Sequence, residues 1–245
     1  MEPNTQHRDL SILELEANRT AGDNGYWHLL RERFLSALLA GRLQECLAVS
    51  SELTSAAQLI PYYRYVIQPA LYSVGEAWSL GKISIAQEHL ASSIVGRVMT
   101  SLHVTFIRPS RTMGRAVVSA VTNEHHELGA WIVSDMLESD GWDVRYLGAN
   151  TPVADLLSLL KRFRPHLLAL SITMPDNVEQ ARRIIAELHM EQSIADTSVI
   201  VGGIAMNLMP GIWQEIKADG YAGDVEGAVE FARQMWNALS ANKRL

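Results

Sequence analysis

The sequence is poor in the features that mark secreted, membrane-bound and disulfide-stabilised proteins. It has one cysteine, Cys46, among 245 residues, so no internal disulfide can form. No apolar run reaches the ~18 residues of a membrane span, and the polar N-terminus lacks the apolar core of a secretory signal. We therefore expect a cytoplasmic protein that does not enter a membrane.

Positive charge is also scarce. The 21 lysines and arginines face 27 aspartates and glutamates, which leaves a formal net charge of −6. Nucleic-acid-binding domains usually have a basic surface, so we expect no direct DNA binding. The arginines within residues 108–115 are interpreted as part of a solvated linker. The chain also lacks a Walker loop, a nucleophile elbow and a zinc-ligand pair, and we expect a protein that is not an enzyme.

Helical patterning dominates the first part of the chain. Residues 1–24 are polar without a sustained period, which predicts a flexible tail. Residues 25–104 repeat apolar side chains at three- and four-residue spacing in four segments, which predicts a four-helix bundle. The third segment contains Pro69, where we expect a kink. Residues 105–114 are rich in turn-forming residues and predict a linker.

The pattern of apolar and polar residues changes at residue 115. Short β-rich runs alternate with amphipathic helical stretches up to residue 245, a pattern typical of a doubly wound parallel sheet. We therefore predict an α/β fold: a helical cap, then a flavodoxin-like or Rossmann-like domain. Ligands of such sheets bind beyond the carboxyl ends of the strands. The five predicted strands are Arg115–Val121, Val144–Leu147, Leu167–Ile172, Ser198–Val201 and a short one around Tyr221.

A motif with metal-binding chemistry follows the first predicted strand. It is Glu124-x-His126-x-x-Gly129. Imidazole is a good ligand for a transition metal, and a carboxylate two residues away can accept its other N–H and fix the tautomer. Gly129 would let the backbone approach a bulky ligand closely. Taken alone, His126 is equally typical of a surface or helix-capping histidine.

Two further motifs occur in register with the first. Ser171-Ile172-Thr173 follows the third predicted strand, and Gly202-Gly203 follows the fourth. Together the three motifs resemble those of cobalamin (vitamin B12) binding domains. The resemblance implies that His126 is the lower cobalt ligand in place of the nucleotide base. It also implies that Ser171, Thr173, Gly202 and Gly203 line the slot for the displaced nucleotide tail. One departure is Glu124, where many relatives have aspartate.

A second constellation lies in the predicted bundle. Trp78 is followed ten residues later by Glu88-His89. This pattern resembles the Trp-x9-Glu-His signature of B12-dependent photoreceptors of the CarH and LitR type. The resemblance implies that Trp78, Ile85, Glu88 and His89 cover the upper face of the cofactor. The alternative is that Trp78 is a core residue and Glu88-His89 a surface pair.

One position departs from some of these photoreceptors. They have a histidine directly after the tryptophan, which takes the upper cobalt position after illumination, whereas this sequence has Ser79. His89 is then the alternative upper ligand. The sequence does not decide whether the upper ligand is adenosyl or aquo/hydroxo.

The arrangement of segments predicts how such a protein would act. About 25 residues precede the bundle, fewer than the ~70 of a helix-turn-helix domain. The organisation resembles the stand-alone antirepressors AerR and PpaA. That resemblance implies a light-sensing regulator that acts through a repressor protein, and a homo-oligomer is compatible with it. The alternative function is a corrinoid protein that carries methyl groups for a methyltransferase. A mutase fragment is disfavoured because the substrate-holding barrel is absent.

Overall fold

The computed structural model describes residues 24–108 and 111–242. The predicted tail therefore lies outside the described residues, apart from position 24, as do two residues of the predicted linker. The chain divides into two compact units, Met1–Ser101 and Leu102–Leu245. Within the described residues, no helix is long and apolar enough to cross a membrane.

The first unit is helical. Helix α1 (Asn24–Leu39) and α2 (Leu43–Ser50) are followed by a 3₁₀ turn and the short α3 (Leu59–Tyr62). A π-helical turn, Tyr63–Ile67, then leads into α4 (Gln68–Ser79). Helix α5 (Ile85–Phe106) begins in this unit and ends in the second.

The π-helical turn has a local cause in Pro69. Proline has no N–H, so it cannot donate the hydrogen bond that an α-helix would send to the carbonyl four residues earlier. The i→i+5 pattern at Tyr63–Ile67 immediately precedes this position, and such turns are recognised sites of helix distortion. The sequence predicted a distortion at Pro69 itself, and the helical pattern changes just before it.

Large aromatic side chains fill the core of the helical unit. Phe34, Tyr62 and Tyr63 are completely buried. The Phe34 and Tyr62 rings meet edge to face at 6.3 Å, and the Tyr62 hydroxyl lies 2.8 Å from Ser50 Oγ. Cys46 is buried beside them, and burial, with the nearby Glu45 charge, raises the pKa of its thiol to about 11. Cys46 is therefore an unreactive packing residue.

The second unit is a five-stranded parallel sheet with the order β2-β1-β3-β4-β5. This is the doubly wound, flavodoxin-like arrangement that the sequence predicted. Its strands are β1 (Arg115–Ala120), β2 (Asp143–Tyr146), β3 (Leu167–Ser171), β4 (Ser198–Gly202) and β5 (Gly220–Ala222). The intervening helices are α6 (Leu128–Ser139), α7 (Val153–Phe163), α8 (Val178–Met190), α9 (Ile204–Leu208), α10 (Ile212–Glu215) and α11 (Val225–Asn242).

Alternating residues of β1 contribute to two separate cores, one on each face of the sheet. Val117 belongs to a cluster with Leu156 and Ile184, which covers the face packed by α7 and α8. Val118 belongs to the opposite cluster, which includes Leu137 of α6 and buried side chains of α11. A strand buried on both faces needs apolar residues at successive positions, which is why its sequence is a continuous apolar run.

The junction differs in one respect from the predicted linker of residues 105–114. Helix α5 continues through its first two residues and ends at Phe106. Apolar side chains remain available up to Ile107, which is buried. The residue before a proline is disfavoured in helical conformation, so Arg108-Pro109 is a natural stop.

Candidate functional site

The predicted lower-ligand residues lie beyond the carboxyl ends of β1, β3 and β4. The chain reverses its direction of winding between β1 and β3, which is where doubly wound sheets bind ligands. Glu124 and His126 follow β1, and the Ser171–Thr173 motif ends and follows β3. A Cβ atom on Gly129 would lie 3.5 Å from Ser171 Oγ, so the first two motifs are adjacent in space.

The Glu124 carboxylate is completely buried and fully engaged in hydrogen bonds. Its Oε1 lies 2.5 Å from His126 Nδ1 and also accepts the His126 backbone N–H at 3.2 Å. Its Oε2 accepts the backbone N–H groups of Thr173 and Met174 at 3.0 and 2.9 Å. It also accepts a third bond at 3.0 Å, from Asn177 Nδ2. The longer side chain of glutamate thus reaches both His126 and the loop after β3.

These bonds keep Glu124 ionised. Burial alone would raise the pKa of its carboxyl group, but hydrogen bonds from His126, Met174 and Asn177 outweigh burial and lower the pKa to about 2. A carboxylate can only accept hydrogen bonds, so the facing Nδ1 of His126 carries the proton. In the neutral imidazole, Nε2 is then the nitrogen with the lone pair, the one that can bind a metal.

The His126 side chain projects from this buried support toward solvent. Half of it, 51%, is exposed, whereas the Glu124 side chain is 0% exposed. An accessible imidazole with its tautomer fixed by a buried carboxylate is the donor arrangement that a cobalt ligand requires. The neighbouring His125 is also exposed, and no hydrogen bond ties its ring to Glu124 among the described residues.

Sequence reasoning missed Asn177. This residue is buried, and its side-chain amide donates to both Glu124 Oε2 and the Asn123 carbonyl, the latter at 3.3 Å. It closes the 3₁₀ turn Pro175–Asn177 that follows Met174. Its distance of 53 residues from Glu124 along the chain left no local signal. A Pro-Asp-Asn turn beside the Ser171–Thr173 motif is the one hint that the sequence offered.

Two asparagines with positive φ shape the loop around Glu124. Asn123 has φ 66° and donates its N–H to Asn150 Oδ1 at 2.8 Å. Asn150 has φ 52°, and its own N–H donates to the Glu124 carbonyl at 2.9 Å. Asparagine tolerates this left-handed conformation better than most residues. The loops after β1 and β2 therefore hold each other and fix the backbone at Glu124.

Gly203 is required by the fold itself. Its φ is +103°, and a Cβ atom there would lie 2.3 Å from the Ile172 carbonyl oxygen. The constraint on the preceding Gly202 is milder, because a Cβ atom there would lie 2.9 Å from the Ala222 carbonyl oxygen. The pair thus allows the backbone after β4 to lie against the Ser171–Thr173 segment. Their predicted contact with a nucleotide tail stays a prediction.

The second predicted set lies in the helical unit. Trp78 is in the last turn of α4, and Ile85 and Glu88-His89 are in the first turns of α5. Ser84, directly before α5, and Gln87, in the first turn of α5, form reciprocal hydrogen bonds that fix the start of that helix. Glu88 Oε2 lies 2.7 Å from His89 Nδ1, and Ser92 Oγ donates to Glu88 Oε1 at 2.7 Å.

Trp78, Ile85 and His89 are exposed and contribute little to the core, whereas Glu88 is half-buried. Trp78 is 44% exposed and Ile85 58% exposed, beside the 58% exposed Leu80. The His89 side chain is 71% exposed. The alternative interpretation of Trp78 as a core residue is therefore wrong. Ile85 lies one helical turn before His89 on α5, so exposed apolar surface and an imidazole occur together at the start of this helix. Such a surface suits an apolar ligand with a coordinating centre.

Comparisons with known proteins agree with these motifs. A family model described as a B12 binding domain matches residues 114–232, and a second B12 binding domain model matches residues 30–103. The HTH-type transcriptional repressor CarA of Myxococcus xanthus is 27% identical over 175 residues, 71% of this chain and 58% of that protein. The repressor CarH of the same organism is 27% identical over 195 residues, 79% of this chain and 64% of that protein. The chain thus matches less than two thirds of either repressor.

Corrinoid proteins are similar to a comparable degree. Dimethylamine corrinoid protein 1 of Methanosarcina mazei is 26% identical over 165 residues, 66% of this chain and 75% of that protein. The structure of the monomethylamine corrinoid protein of Methanosarcina barkeri superposes with a TM-score of 0.71 at 18% identity, covering 86% of this chain and 98% of that one. The likeness of the structures confirms the fold.

Proposed function

We propose that this chain, which two B12 binding domain models match over residues 30–103 and 114–232, is a cobalamin-dependent, light-sensing regulator of transcription that acts through a partner protein. The Trp78, Ile85, Glu88 and His89 surface is the observation that carries this proposal. Trp78, Glu88 and His89 match the signature of B12-dependent photoreceptors, and Trp78, Ile85 and His89 are exposed. The similarity to the repressors CarA and CarH supports a regulatory function.

The α/β unit would hold the cofactor from below. His126 would present Nε2 to cobalt, with Nδ1 held by the ionised Glu124. Thr173, Met174 and Asn177 keep that carboxylate in place and so keep the imidazole oriented. The backbone of Gly202 and Gly203 would face the nucleotide tail. The donor set fits cobalamin, since a single exposed imidazole suffices where the corrin ring would supply the remaining nitrogen donors.

The helical unit would meet the upper ligand. When bound, adenosylcobalamin supplies a bond between cobalt and carbon that visible light breaks. Trp78 and Ile85 would pack against the upper group, so their exposed surface depends on which group is present. His89, paired with Glu88 at 2.7 Å, is the nitrogen donor of this surface. A change of upper ligand would therefore favour one arrangement of α4 and α5 over another, which is what a ligand-biased switch requires.

We further propose that the protein itself is neither an enzyme nor a DNA-binding protein. The acidic balance of the sequence, −6, disfavours the phosphate contacts that dominate DNA affinity. A repressor protein is the proposed partner. Tight, salt-dependent retention of a promoter fragment by the pure protein would contradict this part of the proposal.

The similarity to dimethylamine corrinoid proteins favours a second function, the carriage of methyl groups for a methyltransferase. The two functions differ in what they need at the upper face. A methyl carrier must leave cobalt accessible to its methyltransferase, whereas a light sensor benefits from a bulky tryptophan over its upper ligand. Trp78 therefore favours the sensor.

An absorption experiment separates the two functions. The full chain is mixed with adenosylcobalamin and with methylcobalamin, and spectra are recorded in darkness and after green light. A light sensor should bind adenosylcobalamin at least as tightly as methylcobalamin. The absorption spectrum of the bound adenosylcobalamin should change irreversibly within minutes of illumination. Preferential binding of methylcobalamin, with methyl transfer to a thiol acceptor in the presence of a methyltransferase, would support the carrier and overturn the sensor.

A further inference from the structure

An arginine cluster lies at the amino-terminal edge of the sheet, the edge opposite to Glu124 and His126. Arg115 is the first residue of β1 and pairs in register with Asp143, the first residue of β2. The guanidinium carbons of Arg115 and Arg145 lie 5.7 and 4.6 Å from the centre of the Phe163 ring. Arg111 Nε and Arg145 Nη1 lie 3.5 and 2.9 Å from the same carboxylate oxygen, Asp143 Oδ1.

Positive charge exceeds negative charge in this cluster. Arg111, Arg115 and Arg145 are all exposed, and Asp143 is the carboxylate that pairs with two of them. Two more exposed arginines, Arg162 and Arg164, flank Phe163 in the chain. Glu138 interacts electrostatically with both Arg111 and Asp143. The five arginines still outnumber these two carboxylates, although the whole sequence has a net charge of −6. Sequence reasoning saw only the arginines near residue 111 and assigned them to a linker.

The cluster is ordered before any partner arrives. Stacking of two guanidinium groups on Phe163 restricts their rotamers, which lowers the entropy that binding would otherwise cost. A planar guanidinium offers paired N–H donors that match a carboxylate bidentately. Asp143 satisfies part of this capacity, and the excess positive charge favours additional carboxylates. Because the strands separate this edge from the cofactor edge, both can be occupied together.

We infer that the arginine cluster binds an acidic segment of a partner protein. Guanidinium groups can bind either carboxylates or nucleic-acid phosphates. The charge of the rest of the molecule favours the carboxylates of a short peptide segment over a nucleic acid. A nucleic acid extends far beyond the cluster, over surfaces of an acidic protein that repel it, whereas a short acidic segment contacts the cluster alone. Screening at physiological salt limits attraction to about 8 Å, so the partner's charges must lie directly on the cluster.

The experiment uses the full chain and a fluorescently labelled octaglutamate peptide, followed by anisotropy at low and physiological salt. The parent should bind the peptide, and the double variant Arg115→Glu/Arg145→Glu should bind it at least about tenfold more weakly, because attraction becomes repulsion. Arg183→Glu is the matched control. Arg183 is an exposed arginine paired with Glu187 on α8, away from the cluster, and its replacement should change affinity by less than about twofold.

A conservative variant keeps the inference open to test if the double variant misfolds. Arg145→Lys retains the charge but loses the planar fork and much of the stacking on Phe163, so it should weaken peptide binding by about two- to fivefold without unfolding the protein. The inference is overturned if Arg145→Lys and Arg183→Glu leave peptide affinity equally unchanged. It is also overturned if mixed-sequence double-stranded DNA binds the cluster more tightly than the peptide does. Neither result depends on cobalamin binding.

Discussion

The two candidate surfaces differ in how the protein supports them. Glu124 is completely buried and its two oxygens accept hydrogen bonds from four residues, so His126 is held by a network that spans β1 and β3. Trp78 lies at the end of α4 and His89 near the start of α5. Among the residues that the structure describes, the His89 ring is hydrogen-bonded only to Glu88, its neighbour in the chain. A rigid lower site and an adaptable upper surface suit a protein that retains its cofactor while responding to a change in the upper ligand.

The contrast extends to the glycines beside each surface. Gly203 and Gly81 both have positive φ, +103° and +67°. A Cβ atom on Gly203 would lie 2.3 Å from a backbone oxygen, whereas one on Gly81 would meet nothing within 4 Å. The backbone after β4 is therefore constrained by a close contact with another segment. The turn between α4 and α5 is held by local backbone hydrogen bonds, from the Gly81 N–H to the Trp78 carbonyl and from the Lys82 N–H to the Ala77 carbonyl.

The largest effect is expected from breaking the close contact at the lower site. Gly203→Ala should lower the unfolding free energy by about 4 kcal/mol or more, because the new methyl group overlaps the Ile172 carbonyl. Gly81→Ala should lower it by only about 1 to 2 kcal/mol, the cost of a left-handed conformation for alanine. Urea unfolding followed by circular dichroism measures both. Equal midpoints for the two variants would remove the proposed difference in rigidity.

The buried carboxylate should make stability depend on acid. The pKa of Glu124 is lowered from its usual value near 4.5 to about 2, which corresponds to about 3 kcal/mol of stabilisation when ionised. This contribution is complete above the pKa of the unfolded state and is lost as pH falls from about 5 toward 2. In Glu124→Gln it is absent at every pH. The difference in unfolding free energy between parent and variant should therefore shrink on acidification, and a constant difference would contradict the ionised network.

Loss of the lower ligand should be visible in the cofactor itself. His126→Ala removes the proposed nitrogen donor and should weaken cobalamin binding by about ten- to a hundredfold, or shift the spectrum of bound cobalamin to a form without histidine. His125→Ala is the matched control, since His125 is an exposed histidine next in the chain. Titrations followed by visible absorption distinguish them. An unchanged spectrum and affinity in His126→Ala would reject His126 as the ligand.

The smallest effect on affinity is expected at the upper surface. Trp78→Ala and His89→Ala should leave cobalamin affinity within about threefold of the parent, because the lower site is expected to hold most of the binding energy. Trp78→Ala should change the rate of the light-driven spectral change, and His89→Ala should change the illuminated spectrum more than the dark one. Tyr72→Ala is the control, because Tyr72 is an aromatic residue of α4 with similar exposure, 41% against 44%. If all three variants respond to light as the parent does, the methyl-carrier function becomes preferable.

The sequence by itself determined the order of elements and the chemistry of the loops. The sequence predicted the bounds of the central strands β1, β3 and β4 to within a residue, because a strand covered on both faces is apolar at successive positions. It also located the edge strands β2 and β5, which are only partly buried. Glu124, His126 and Gly203 were identified from local motifs, since their spacing along a few residues is itself the signal. The distortion near Pro69 followed from the missing N–H of proline.

Only the tertiary structure decided which distant groups complete each site. Asn177 and the N–H groups of Thr173 and Met174 reach Glu124 across about fifty residues, because β1 and β3 are neighbours in the sheet. Arg111, which precedes β1, likewise reaches Asp143 through the pairing of β1 with β2. Such contacts depend on strand order, and strand order results from the packing of whole helices on both faces of the sheet, which no short motif encodes.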